Sequence, residues 1–176
     1  MSIEDKIKGV VRNVPDFPKP GINFKDISTI LENPTISKEI VEEFRNLLKD
    51  QHIDAIVGVE SRGFIFGMPL ALALDIPFIL IRKKGKLPYD TIEYTYDLEY
   101  GSATVEMHVD SVKKDWNVFI HDDLLATGGT AAAAAELVQQ QGGKVAGFGF
   151  LINLSFLNGE ERLKQYTDTI INLANY

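Results

Sequence analysis

Residues Phe119–Ala135 read FIHDDLLATGGTAAAAA: two adjacent carboxylates, then small and hydroxyl side chains, then alanines. Small residues let backbone amides come close to a ligand. The start of a helix adds unpaired N–H groups and the positive end of its dipole. Ala126, Thr127, Gly128, Gly129 and Thr130 therefore predict an anion cradle suited to a phosphate, with Thr127 and Thr130 supplying hydroxyl donors. Asp122 and Asp123 would repel that phosphate as direct ligands. They make sense as acceptors for sugar hydroxyls, or facing a metal ion, while the loop holds the phosphate. Read alone, the run also fits a capped strand–helix turn with two solvated acids.

Two further stretches carry chemistry-bearing side chains. In VESRG (Val59–Gly63), Ser61 and Arg62 sit between an apolar strand and a helix, where they could hold a second anion or form an ordinary turn. RKKGK places Arg82, Lys83, Lys84 and Lys86 together after another apolar strand. Such a run is usually a solvated surface, but at a strand end it can face the same crevice as the other two loops. The familiar alternatives fail on single residues. GVESRG lacks the lysine and hydroxyl residue of a Walker loop, having Phe64 and Ile65 there, and Ile152 stands where a dinucleotide motif needs its third glycine. Val59 replaces the glycine of a nucleophile elbow. His121 and Asp122, as strand neighbours, point to opposite faces and are badly placed for a triad.

The elements that must position these residues alternate. Ile3–Val11 has helical spacing, VPDFPKPG forces an extended, turning path, and Asn33-Pro34 predicts an N-cap with proline opening an amphipathic helix. Strands are expected at Ile53–Val59, Ile76–Ile81, Asn117–Ile120, Lys144–Ile152 and Asp168–Leu173, with helices at Gly63–Asp75 and Gly129–Gln141. Continuous apolar strands separated by helices predict an α/β fold with a parallel sheet covered on both faces. Lys86–His108 departs from that pattern; its alternation, with four tyrosines, predicts a long hairpin projecting from the sheet.

Composition narrows the function classes. A chain of 176 residues with 45% hydrophobic and 24% charged residues suits one soluble domain spanning 1–176. A net charge of −7 argues against a nucleic-acid binder. The absence of cysteine excludes thiolate chemistry and fits a reducing compartment. With no signal pattern and no apolar run of membrane length, a cytoplasmic protein without a membrane partner is expected.

The segment VFIHDDLLATGGT (Val118–Thr130) resembles the phosphoribosyl-diphosphate-binding motif of the type I phosphoribosyltransferases. FPKPGINFKDIS (Phe17–Ser28), VESRGFIFG (Val59–Gly67), IRKKGKLP (Ile81–Pro88), YDLEYG (Tyr96–Gly101) and DDLLATGGT are similar, in order, to signatures of the adenine phosphoribosyltransferases within that group. The resemblance implies a Rossmann-like parallel sheet flanked by helices, an N-terminal base-binding hood at 1–35 and a mobile hairpin lid at 86–108. It implies transfer of 5-phosphoribosyl from its 1-diphosphate to N9 of adenine, giving AMP and diphosphate for purine salvage. Another base preference, or a non-catalytic sensor of phosphoribosyl diphosphate, is the competing expectation.

By the same resemblance, Ala126–Thr130 hold the 5-phosphate and Asp122 and Asp123 the ribose hydroxyls. Ser61, Arg62, Arg82, Lys83 and Lys86 meet the diphosphate. Phe24 and Leu124 sandwich adenine, whose edge is read by the main chain of Asn23 and Lys25. Glu99 handles the proton. Mg²⁺ is expected, held mainly through the substrate without a direct protein ligand set, and a homodimer is expected. His121 departs from the family, which usually has an aliphatic residue there, and is expected to make structural hydrogen bonds.

Overall fold

The structure, a computed structural model, describes residues 1–98 and 101–176. Five parallel strands form its centre: β3 (Ala55–Val59), β4 (Phe78–Lys83), β7 (Asn117–Leu125), β8 (Lys144–Asn153) and β9 (Ile170–Asn175), in the spatial order β4-β3-β7-β8-β9. Beside β4 the sheet continues antiparallel through β6 (Ser102–His108) and β5 (Thr91–Asp97). The predicted hairpin thus belongs to the sheet edge. Among the described residues it joins β4 through Arg82↔Glu106 and Lys83↔Val105.

Alternation along the strands divides the core. Ile56 and Phe119 pack with Ile40, Phe44 and Leu70, from α3 (Pro34–Leu48) and α4 (Gly63–Leu74), on one face. Val57, Ile120 and Phe148 pack with Leu137 and Val138 of α5 (Gly129–Gln140) on the other. The alanine run now has a reason: Ala131–Ala135 are all buried, and side chains of one carbon let α5 lie close against the sheet. As expected, Asn33 caps α3, its side chain accepting from the Ile36 amide at 3.2 Å. The α4 helix is apolar on every side, and Ile65, Met68 and Leu72 remain exposed.

The N-terminal segment holds α1 (Ile3–Val10), a ribbon of β1 (Arg12–Val14) and β2 (Phe24–Asp26), and the single turn α2 (Ser28–Leu31). The ribbon pairs Arg12 with Asp26 and Val14 with Phe24, which carries Phe24 to its place. A short α6 (Gly159–Leu163) lies beneath the loop that opens α5.

The strand that carries the acids runs five residues past its expected end at Ile120, because pairing with β8 continues to Leu125↔Asn153. His121 therefore lies fully inside, its ring edge-on to Phe44 with centroids 5.2 Å apart. Of the expected structural hydrogen bonds only a weak interaction with the Gly149 backbone remains, too poorly aligned for either ring nitrogen to count as hydrogen-bonded among the described residues. Burial pushes its pKa down to about 4, the Gly149 backbone offsetting only part of the effect. The neutral ring is the stable form, so its contribution is complete above the unfolded value of 6.5 and is lost as pH falls towards 4. That gap corresponds to roughly 3 kcal/mol. Thermal unfolding of His121→Leu across that window is expected to show a flatter acid slope than the parent protein. An unchanged slope would assign the acid sensitivity to other groups.

Candidate active site

A cavity of about 1000 Å³ opens where β3, β4 and β7 end and the hairpin leans across. Its wall includes Ser61, Arg62, Arg82, Lys83, Asp122, Asp123, Leu124 and the whole loop Ala126–Thr130. Three segments distant in sequence thus meet at one place, the C-terminal edge of a parallel sheet.

The acid pair faces the start of α4. Gly63 is required there, because a Cβ would lie 2.8 Å from the His121 carbonyl and 3.0 Å from Asp122 Oδ1. Asp122 Oδ1 accepts the Asp123 amide at 2.8 Å. Close enclosure, and then the charge of Asp123, push the Asp122 carboxyl well above the ordinary carboxylate range, with Arg62 offsetting part of this. Asp123 is buried and meets Arg62, whose Nε lies 2.8 Å from Asp123 Oδ2. The same guanidinium stands 5.7 Å over the Phe24 ring. Arg62 therefore links the acids to the N-terminal ribbon.

Beyond the acids the chain turns at Gly128, in the left-handed region at φ 79°. A Cβ at this position would lie 2.8 Å from the Gly159 carbonyl, so backbone shape and space both demand glycine. No side chain caps the start of α5 and its first turn holds no acid. The opening amides remain available to an anion.

On the opposite wall Glu60 Oε2 accepts the Lys83 amide at 2.9 Å and lies 3.3 Å from Arg82 Nε. Arg82 Nη1 donates to the Lys86 carbonyl at 3.2 Å. The cavity thus gathers the amides and hydroxyls opening α5, the carboxylates at the end of β7 and the cations at the end of β4, with β3 between those two strands. That set of groups suits a sugar bearing two separate phosphate groups.

A family model described as phosphoribosyl transferase domain matches residues 26–172. An adenine phosphoribosyltransferase of Cytophaga hutchinsonii is 48% identical over 174 residues, covering 99% of this chain and 96% of that protein. One from Ureaplasma parvum is 53% identical over 168 residues, covering 96% and 97%. The crystal structure of the adenine phosphoribosyltransferase of Thermoanaerobacter pseudethanolicus superposes with a TM-score of 0.94 at 44% identity, covering 98% of this chain and 99% of the other. The chain belongs to the adenine phosphoribosyltransferase family.

Not every expected residue lies in the cavity wall. Asn23, Phe24, Lys25 and Lys86 are outside it. Phe24 connects to it through Arg62 and packs edge-on to Phe17 at 5.2 Å. Lys25 is turned away, its ammonium 4.3 Å from the Tyr176 ring centroid and 2.5 Å from Asn13 Oδ1. Lys86 contributes its carbonyl to Arg82 while its side chain is exposed. Glu99 lies outside the described residues.

Tyr96 joins the site without a local sequence signal for that role. Its hydroxyl is 2.9 Å from Thr130 Oγ1 and its ring backs Gly129, where a Cβ would approach within 3.4 Å. The hairpin is thereby tied to the cradle. The alternation in TIEYTYD marks which tyrosines share a face, but nothing local says that this face meets a loop 34 residues away.

Proposed function

We infer that the protein transfers the 5-phosphoribosyl group of 5-phospho-α-D-ribose 1-diphosphate to N9 of adenine, releasing diphosphate and forming AMP. The observation that carries this reading is one cavity with an amide cradle, an acid pair and a cationic wall in sequence. Ligands named for related proteins support it. The Saccharomyces cerevisiae enzyme was crystallised with an imino-altritol bisphosphate and adenine, and the Giardia lamblia enzyme with 9-deazaadenine.

In this reading the amides opening α5, with Thr127 and Thr130, hold the 5-phosphate. Asp122 and Asp123 accept the ribose hydroxyls, with Arg62 released from Asp123 towards the diphosphate. Ser61, Arg82, Lys83 and Lys86 complete that end. Phe24 and Leu124 enclose the adenine ring, and the main chain of Asn23 and Lys25 reads its edge. As the bond from C1′ to the diphosphate oxygen breaks, N9 bonds to C1′ and its proton passes to the Glu99 carboxylate, while the bond electrons leave with the diphosphate. Fixed donors around the leaving group stabilise the charge that develops there. The enclosed acid pair beside a polyanionic substrate fits a divalent cation, and Mg²⁺ carried in with the diphosphate would compensate their repulsion. The hairpin, moving as a lid, keeps water from the sugar cation.

The reading includes a single domain over 1–176, purine salvage in the cytoplasm, and a homodimer. The last is supported by the exposed apolar flank of α4 at Ile65, Met68 and Leu72. The direct test mixes phosphoribosyl diphosphate and Mg²⁺ with adenine, hypoxanthine or guanine and identifies the nucleotide formed. AMP from adenine, with little product from the other bases, is expected. Preferential use of another base, or binding without turnover, would replace this reading.

Thr130→Ala is expected to weaken AMP binding by roughly 1.5–3 kcal/mol, the value of a hydrogen bond to a charged group, and to leave adenosine binding nearly unchanged. Calorimetry with both ligands checks this. Equal losses would place Thr130 away from the phosphate.

A further inference from the structure

Glu106 is a buried carboxylate that the transfer chemistry does not use. It lies on β6 directly opposite Arg82, with 3% of its surface exposed. One oxygen, Oε1, accepts the amides of Lys86 at 2.9 Å and Leu87 at 2.7 Å. Burial alone would raise its pKa, but the amides of Leu87, Gly85 and Lys86 and the Thr91 hydroxyl outweigh it and hold the carboxyl below the ordinary glutamate range. An anion wrapped by successive amides fixes the backbone that supplies them. The segment it fixes is the turn after β4, in which Gly85 has φ 82°.

That turn in turn orients a cation. The Lys86 carbonyl accepts from Arg82 Nη1 at 3.2 Å, while Glu60 takes Arg82 from the other side through Nε at 3.3 Å and also accepts the Lys83 amide. The two carboxylates form a clamp. Glu60 fixes the strand end and Glu106 the turn, and Arg82 is held between them. Leaving either carboxylate unpaired would cost more than an exposed glutamate, because both are desolvated.

We propose that Glu106 is a positioning residue for diphosphate recognition, holding the Gly85–Leu87 turn so that the Lys86 carbonyl keeps the Arg82 guanidinium in a fixed position towards the leaving group. This rests on the reading that the Arg82–Lys86 wall meets the diphosphate. The hairpin strand β6 thereby contributes to the site from below, through a carboxylate and without touching substrate.

The test compares Glu106→Leu, Glu106→Gln and Arg82→Ala with two ligands, phosphoribosyl diphosphate with Mg²⁺ and AMP, which has the 5-phosphate but no diphosphate. Small misplacements in a preorganised site are costly, so Glu106→Leu should bind phosphoribosyl diphosphate on the order of 10-fold more weakly. AMP affinity, the KM for adenine and the single-turnover rate at saturation should stay close to the parent values. Glu106→Gln, which keeps one acceptor oxygen at the same reach, should recover part of the loss; if the leucine variant does not fold, this variant decides. Equal losses for both ligands, or no loss specific to phosphoribosyl diphosphate in the variant that folds, would overturn the inference. Arg82→Ala separates the two layers. Weakened phosphoribosyl diphosphate binding there, with the Glu106 variants unaffected, overturns the inference alone. Unchanged binding in Arg82→Ala removes the diphosphate from this wall and overturns both.

Discussion

Asp122→Asn is expected to make the free protein more resistant to heat and, in the same step, a poor user of phosphoribosyl diphosphate. The two effects share one cause. The Asp122 carboxyl is enclosed beside Asp123, and its pKa is raised well above the ordinary carboxylate range. Ionising it in the folded protein is therefore unfavourable. The stabilisation that a raised pKa brings is present below the unfolded pKa and is lost as pH rises through the folded one. At neutral pH the aspartate thus reduces stability, and the neutral amide removes that penalty. The ligand gains what the free protein loses: a charged acceptor is worth about 1.5–3 kcal/mol per hydrogen bond, or roughly 10- to 100-fold in kcat/KM for phosphoribosyl diphosphate. Scanning calorimetry at several pH values and steady-state kinetics read both sides. A lower melting temperature together with unchanged kinetics would contradict both the strain at Asp122 and its role at the sugar.

The second large effect is expected at Glu99, the proton-handling carboxylate implied by YDLEYG. Adenine must lose its N9 proton as the bond to C1′ forms, and general acid–base help is typically worth about 10²–10⁴-fold. Glu99→Gln keeps size and hydrogen-bonding capacity, so kcat should fall on the order of 10²-fold or more, while the Michaelis constants move much less. Single-turnover measurement is the cleaner reading, because slow product release would hide part of the loss. A near-normal single-turnover rate would leave catalysis to positioning and to the donors around the diphosphate.

What could be read from the sequence was local. The stretch from Asp122 to Thr130 carries acids, amides and helix start on consecutive residues, so strand, loop and chemistry are visible together. The order of apolar runs gave the parallel sheet for the same reason. What could not be read depends on partners far along the chain. Asp122 and Asp123 interrupt an apolar run, which suggested that the strand stopped before them, yet pairing with β8 carries it to Leu125. Three-residue strands show no usable period, and the ribbon that places Phe24 was invisible. Tyr96 and Glu106 sit on a hairpin whose alternation is plain, but their partners, Thr130 and the Lys86–Leu87 amides, are chosen by the fold. His121 looked like a hydrogen-bonding residue and is held chiefly by ring packing against Phe44, with only a weak pull from the Gly149 backbone.

The central claim is a division of labour within one cavity, and a crystal structure of the protein with AMP, diphosphate and Mg²⁺ tests it most directly. The AMP phosphate is expected on the amides of residues 126–130, the ribose hydroxyls on Asp122 and Asp123, Arg62 withdrawn from Asp123, and diphosphate between Ser61 and Arg82. AMP phosphate bound at the Arg82–Lys86 wall, or Arg62 still paired with Asp123 beneath a bound ribose, would contradict it.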